Sequence, residues 1–225
     1  VEMLSRLPLA SMGGGVGSDS WGWKDPQSER YYALFARSPG TSFIDVTDPQ
    51  SPVYLGNLAS TSGDQPWRDV KVYADHAFVV ADTIPNHGMP VFDLTRLRGV
   101  QSPQTFNPDN TYNNIGEAHN VAINEESGFA YITGGDQCNG GLHIVDINNP
   151  KSPQFAGCFS ADGYTHDVQC VTYTGPDSDH QGAEICFASN EDSLTIVDVS
   201  NKSNPVMLAK ALHLGIGPDI GRRRD

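Results

Sequence analysis

Three polar pairs stand out as residues able to do chemistry: Arg68-Asp69, His119-Asn120 and His166-Asp167. Each pair is followed by valine inside an otherwise similar stretch, in Trp67-Arg-Asp-Val-Lys-Val72, Ala118-His-Asn-Val-Ala-Ile123 and Thr165-His-Asp-Val-Gln-Cys170. Two imidazoles brought beside carboxylates could bind a divalent transition metal through His119 and His166, because neutral imidazole suits Zn, Cu, Fe or Ni. They could also carry acid/base work, with Asp69 or Asp167 as base. The plainer expectation is that each side chain hydrogen-bonds the backbone of a neighbouring unit.

A second candidate is an irregular calcium loop at Asp177-Ser-Asp179-His-Gln-Gly182-Ala-Glu184, using Asp177, Asp179 and Glu184. It has oxygens at positions 1 and 3 and glycine at position 6, but position 12 is Ala188 where an EF-hand needs a bidentate Glu. A polar hairpin tip is the simpler reading. There is no Gly-x-Ser-x-Gly elbow and no His-Glu-x-x-His motif, so hydrolase machinery has little support. Asn201-Lys-Ser203 is one glycosylation sequon.

The elements that would position these residues repeat. Ser42-Phe-Ile-Asp-Val-Thr-Asp-Pro49, Pro90-Val-Phe-Asp-Leu-Thr95, Leu142-His-Ile-Val-Asp-Ile-Asn-Asn-Pro150 and Leu194-Thr-Ile-Val-Asp-Val-Ser-Asn201 share an apolar, apolar, Asp, apolar core. Their aspartates, Asp45, Asp93, Asp146 and Asp198, are 48, 53 and 52 residues apart. Each is expected to end a strand and cap the turn that follows. The His/Asp-Val stretches recur in phase with them, and Trp21-Gly-Trp23 holds the corresponding place in the first unit. β-Branched and aromatic runs bounded by turn residues then parse each unit into four short strands.

Four-stranded units at a period near 50 predict an all-β chain, a β-propeller with four recognisable blades, closed by itself or part of a larger ring. The expected blades are 18–60, 66–107, 117–160 and 164–213, after a flexible lead-in at 1–17 and before a basic, Gly-rich tail at 214–225. First strands of blades line the central channel, so equivalent positions converge on one axis.

Composition agrees. The 225 residues include 23 Gly and 15 Pro, with 38% hydrophobic and 18% charged residues. Such a chain suits turn-rich β-structure rather than a helical bundle. Lys and Arg total 14 against 27 Asp and Glu, a net charge of −13, which a nucleic-acid backbone would repel. No apolar run reaches the ~18 residues of a transmembrane helix. The start at Val1 suggests a processed product.

The four cysteines favour two disulfides and an oxidising compartment. Cys170 and Cys186 flank one hairpin, which leaves Cys138 with Cys158, although two other connectivities remain open on sequence alone.

Taken together, Trp21-Gly-Trp23, Gly40-Thr-Ser-Phe-Ile-Asp-Val-Thr-Asp-Pro49, Pro52-Val-Tyr-Leu-Gly56, Trp67-Arg-Asp-Val-Lys-Val-Tyr73, His87-Gly-Met-Pro-Val-Phe-Asp-Leu-Thr-Arg-Leu97, Cys138-Asn-Gly-Gly-Leu-His-Ile-Val-Asp146 and Gly163-Tyr-Thr-His-Asp-Val-Gln-Cys170 resemble the choice-of-anchor B family. Members of that family carry LVIVD-type repeats. The resemblance spans residues 21 to 213 and implies an exported propeller, extracellular or in the cell envelope, with further blades in most members. The expected function is a non-enzymatic binding, adhesion or assembly module for a protein or glycan partner at the cell surface, which self-associates if its ring is incomplete. The alternative is a metal-dependent, hydrolase-like enzyme built on the channel His/Asp cluster.

Overall fold

The computed structural model describes residues 2–60 and 62–212. The tail expected at 214–225 lies outside them. The first unit forms β1 (Gly17–Lys24), β2 (Tyr31–Arg37), β3 (Gly40–Asp45) and β4 (Val53–Ala59), paired antiparallel in that order. The second forms β5 (Arg68–Tyr73), β6 (His76–Ala81) and β7 (Met89–Asp93). Next comes β8 (Gln104–Phe106), which leaves the second unit and pairs parallel with β4 at the edge of the first. The strand that completes the second sheet is β9 (Asn110–Tyr112), antiparallel to β7.

The third blade is β10 (Asn120–Asn124), β11 (Phe129–Thr133), β12 (Leu142–Asp146) and β13 (Gln154–Phe159). The fourth is β14 (Thr165–Thr172), β15 (Glu184–Asn190), β16 (Ser193–Asp198) and β17 (Val206–Leu212). Each sheet is a meander from first to fourth strand, and the four together are a β-propeller fold.

The second blade therefore reaches Tyr112 rather than stopping at 107. The reason is local: Asp93 caps a 3-10 turn over Leu94–Leu97, where the other blades turn directly into a fourth strand. Leu94 and Leu97 bury between blades 1 and 2, which draws the chain across to β4 before it returns.

All four repeated aspartates close the turn after the third strand. The Oδ1 atoms of Asp45, Asp93, Asp146 and Asp198 accept from the backbone N–H two residues on, at Thr47, Thr95, Asn148 and Ser200, over 3.0, 3.0, 2.9 and 2.8 Å. Asx turns of this kind satisfy backbone groups that the end of a strand leaves unpaired.

Three apolar clusters hold neighbouring blades together. Leu34, Phe43 and Leu55 of blade 1 meet Val70, Ala77 and Phe92 of blade 2. Phe78 and Val91 of blade 2 meet Val121 and Ala130 of blade 3. Tyr131 and Ile144 of blade 3 meet Val168, Cys170 and Cys186 of blade 4. Two disulfides reinforce the last two blades, Cys170–Cys186 between the paired strands β14 and β15, and Cys138–Cys158 between the loop before β12 and β13. Residues before β1 lie against blade 1: a 3-10 turn spans Leu9–Met12, Met12 is buried, and the Ser5 hydroxyl donates to the Pro49 carbonyl at 2.6 Å.

Candidate functional site: the channel-lining strands

Strand register identifies which residues are equivalent. Trp23, Tyr73, Asn124 and Val171 each pair with the first residue of the repeated second-strand core. Four positions earlier stand Asp19, Asp69, Asn120 and Asp167. Immediately before them stand Ser18, Arg68, His119 and His166.

The first series is a chain of links between blades. Asp19 Oδ2 accepts from the Val70 N–H of the next blade at 3.2 Å, and Asp69 Oδ2 accepts from the Val121 N–H at 2.8 Å. Asn120 Nδ2 donates to the His166 carbonyl at 2.9 Å. Asp167 is exposed, and its Oδ1 accepts from the Val168 N–H of its own strand at 2.7 Å. Lys71 sits between the first two carboxylates, bonded to Asp69 and 3.3 Å from Asp19, with its ammonium 4.7 Å from the centre of the Trp21 ring. Burial, and then the neighbouring Asp19, push the Asp69 carboxyl above the usual range, while Lys71 pulls it back.

Arg68 does not face the channel. It is 2% exposed, and its guanidinium donates to Ser38 O, Ser60 Oγ, Gly63 O and, at 2.9 Å, His87 Nε2. Burial pulls its pKa down to about 10. His87 is the acceptor this buried cation needs: its Nδ1–H donates to Gly88 O, and burial takes its pKa down to about 4. The pair ties Ser38, just before β3, and Ser60 and Gly63, just after β4, to blade 2.

His119 and His166 do meet. Their Nε2 atoms are 3.0 Å apart with ring centroids at 4.4 Å, and His119 Nδ1 donates to Asp82 Oδ2 at 2.8 Å. The two rings come from blades 3 and 4, and Asp82 follows the second strand of blade 2. Sequence reasoning missed Asp82 and Asp19. Asp82 belongs to no repeated motif, and Asp19 precedes Trp21 in a strand whose register is bulged.

The calcium candidates separate. Asp177 caps Asp179 N–H in an exposed 3-10 turn. Glu184 turns away into the junction of blades 3 and 4. There its Oε1 accepts from Asn124 Nδ2, Ser127 Oγ and Tyr131 OH at 2.8, 2.6 and 2.6 Å, and its Oε2 accepts from Lys202 Nζ at 2.7 Å. Those donors are too good a set for the carboxylate to leave, so Asp177, Asp179 and Glu184 form no common site. Among the described residues, no group of three or more His, Cys, Asp or Glu side chains is arranged to hold a metal ion. Asn201 is exposed in the turn before β17, its Oδ1 accepting from Ser203.

The first strands of all four blades surround a cavity of about 460 Å³. Trp21, Lys71, Glu125, Asp167, Gln169 and Phe187 reach it. Trp21 is 41% exposed.

Comparison with known proteins bears on the repeats and the fold. A family profile described as "LVIVD repeat" matches residues 115–160 and 185–211, which are blade 3 and the later strands of blade 4. The chain is thus a β-propeller that carries LVIVD repeats. No curated protein matches the sequence. Among solved structures, it resembles a functionally unknown protein from Desulfotomaculum acetoxidans DSM 771, at 15% identity and a TM-score of 0.58, over 88% of this chain and 56% of that one. It also resembles the β-propeller domain of Cps50 (Swd1) from Myceliophteria thermophila, at 9% identity and a TM-score of 0.56, over 81% of this chain and 56% of that one. These likenesses concern the fold. The chain spans little more than half the length of either structure.

Proposed function

We propose that the chain acts as an exported binding, adhesion or assembly module of the choice-of-anchor B type, in the extracellular space or cell envelope. A protein or glycan partner would be held over its channel. The observation that carries this reading is the cavity between the four first strands, where aromatic faces (Trp21, Phe187) stand beside hydrogen-bonding groups (Lys71, Asp167, Gln169) and remain accessible. A few convergent polar groups on an apolar floor are what a recognition site requires. Both disulfides support an oxidising compartment. No helix among the described residues is long and apolar enough to cross a membrane.

The rival, a metal-dependent hydrolase-like enzyme, draws its support from the His119–His166 contact alone. Asp69, one of its two candidate bases, has both oxygens committed to Val70, Val121 and Lys71.

The test is a binding screen against immobilised glycans and extracellular proteins, repeated with Trp21→Ala and Gln169→Ala. Binding that falls about tenfold or more in these variants, with melting temperature retained, is the expected result. Binding untouched by both substitutions would move the site elsewhere.

A further inference from the structure

We propose that His119 and His166 are the two protein ligands of a transition-metal site that bridges blades 3 and 4, with Cu²⁺ as its preferred dication and solvent completing the coordination. The site does not depend on the binding role above, because it lies where the first strands begin rather than inside the cavity.

Chemistry and geometry on the page support it together. The Nδ1–H of His119 is taken by Asp82 Oδ2 at 2.8 Å, which leaves the His119 Nε2 lone pair to accept from His166 Nε2–H or, once His166 moves that proton to its Nδ1, to bind a metal together with His166 Nε2. A carboxylate behind an imidazole in this way fixes the tautomer and raises the basicity of the ligating nitrogen. The two Nε2 atoms stand 3.0 Å apart. A metal off the line between them, with metal–nitrogen bonds of about 2.0–2.1 Å and each ring turned to face it, would subtend a nitrogen–metal–nitrogen angle of roughly 95° at that separation. A near-right angle suits the tetragonal sites of Cu²⁺ and Ni²⁺, and the Irving–Williams order places Cu²⁺ above Zn²⁺.

The pairing is also held from behind. Asn120 donates to the His166 carbonyl, which fixes the backbone of one ligand to the strand of the other. The Asp82 and His119 side chains are 22% and 19% exposed, so solvent can supply the remaining ligands. Without a metal, the same two atoms share one proton in an ordinary hydrogen bond.

The experiment is a titration of the metal-free protein with Cu²⁺ alone, followed by calorimetry and by electron paramagnetic resonance, on wild type, His119→Ala, His166→Ala and Asp82→Asn. Wild type is expected to take up one tight equivalent whose spectrum shows coupling to two nitrogens and whose binding raises the melting temperature, because both blades are tied. Each histidine variant should lose that equivalent and the two-nitrogen coupling. Asp82→Asn should keep the coupling and bind at least tenfold more weakly. Melting temperatures of the metal-free variants check that they fold. Uptake that is absent in wild type, or equal in wild type and both histidine variants, overturns the site and leaves the imidazoles as a structural pair.

Discussion

His87 and His143 are buried in neutral form. His87 accepts from the Arg68 guanidinium, so a second proton on its ring would face a cation. His143 lies against Tyr112, with its Nε2 and the phenol oxygen 2.8 Å apart, and is 4% exposed. Burial brings both imidazoles down to about 4 from the ordinary 6.5. The sign follows directly: between pH 6.5 and 4 the unfolded chain takes up these protons and the folded chain does not, so stability is full above about 6.5 and falls as pH drops toward 4. The loss is on the order of 3 kcal/mol per histidine across that window. Denaturant melts at a series of pH values should show this slope, and His87→Gln or His143→Gln should each flatten it even where they lower stability at pH 7. An undiminished slope in both variants would place the acid sensitivity in other groups.

At the scale of elements, one position in the fourth strand shows how tightly blades nest. The strand carries a bulge beside the third strand in blades 1, 3 and 4, and the residue after it is Gly56, Gly157 and Ala209 in turn. A Cβ on Gly56 would stand 2.1 Å from the Gln104 oxygen of β8, and at φ +136° only glycine is comfortable there. A Cβ on Gly157 would stand 1.6 Å from the Lys202 oxygen of blade 4. Gly157→Ala must therefore push away the turn whose Lys202 holds Glu184, and it should cost about 2–3 kcal/mol in chemical denaturation. Ala209→Gly, at the equivalent place, should cost less than about 1 kcal/mol. Equal losses would show that the blade contact is loose. The sequence shows the repeated strands and Asx turns because both depend on local chemistry at a fixed period. It does not show β8, whose parallel partner lies about 50 residues back, nor the links that Asp82 and Glu184 make to neighbouring blades. Tertiary packing alone decides such contacts, and no period marks them. The polar pairs split for the same reason: His119 and His166 meet across a blade junction, whereas Arg68 at the matching position finds His87 and three oxygens beneath the surface.

At the scale of the molecule, the repeat also marks what each blade expects beyond it. Leu34, Phe78 and Tyr131 occupy one position and are fully buried by the following blade; their equivalent Phe187 is only partly buried. Phe43, Val91 and Ile144 are likewise fully buried, and Ile196 is not. Leu55 is 5% exposed and its counterpart Leu208 is 37% exposed. Blade 1 shows the contrast on its opposite face, where Leu7 and Met12 from the leading segment lie beside Ala33, Phe35 and Ile44. Beside Phe187, Ile196 and Leu208, which are as apolar as the side chains that neighbouring blades cover, the described residues place only Tyr173, Asp177 and His180 of the same blade's hairpin. Contiguous apolar surface of this kind drives association, and a pair of identical faces can close on itself about a twofold axis. The 225-residue chain should therefore self-associate with rising concentration in sedimentation velocity. Leu208→Glu should shift it toward monomer without lowering its melting temperature, because Leu208 contributes little to the blade's own core. A wild-type chain that sediments as a single monomeric species at every concentration would mean that the fourth blade's outer face is already covered, and would remove the basis for assembly through it.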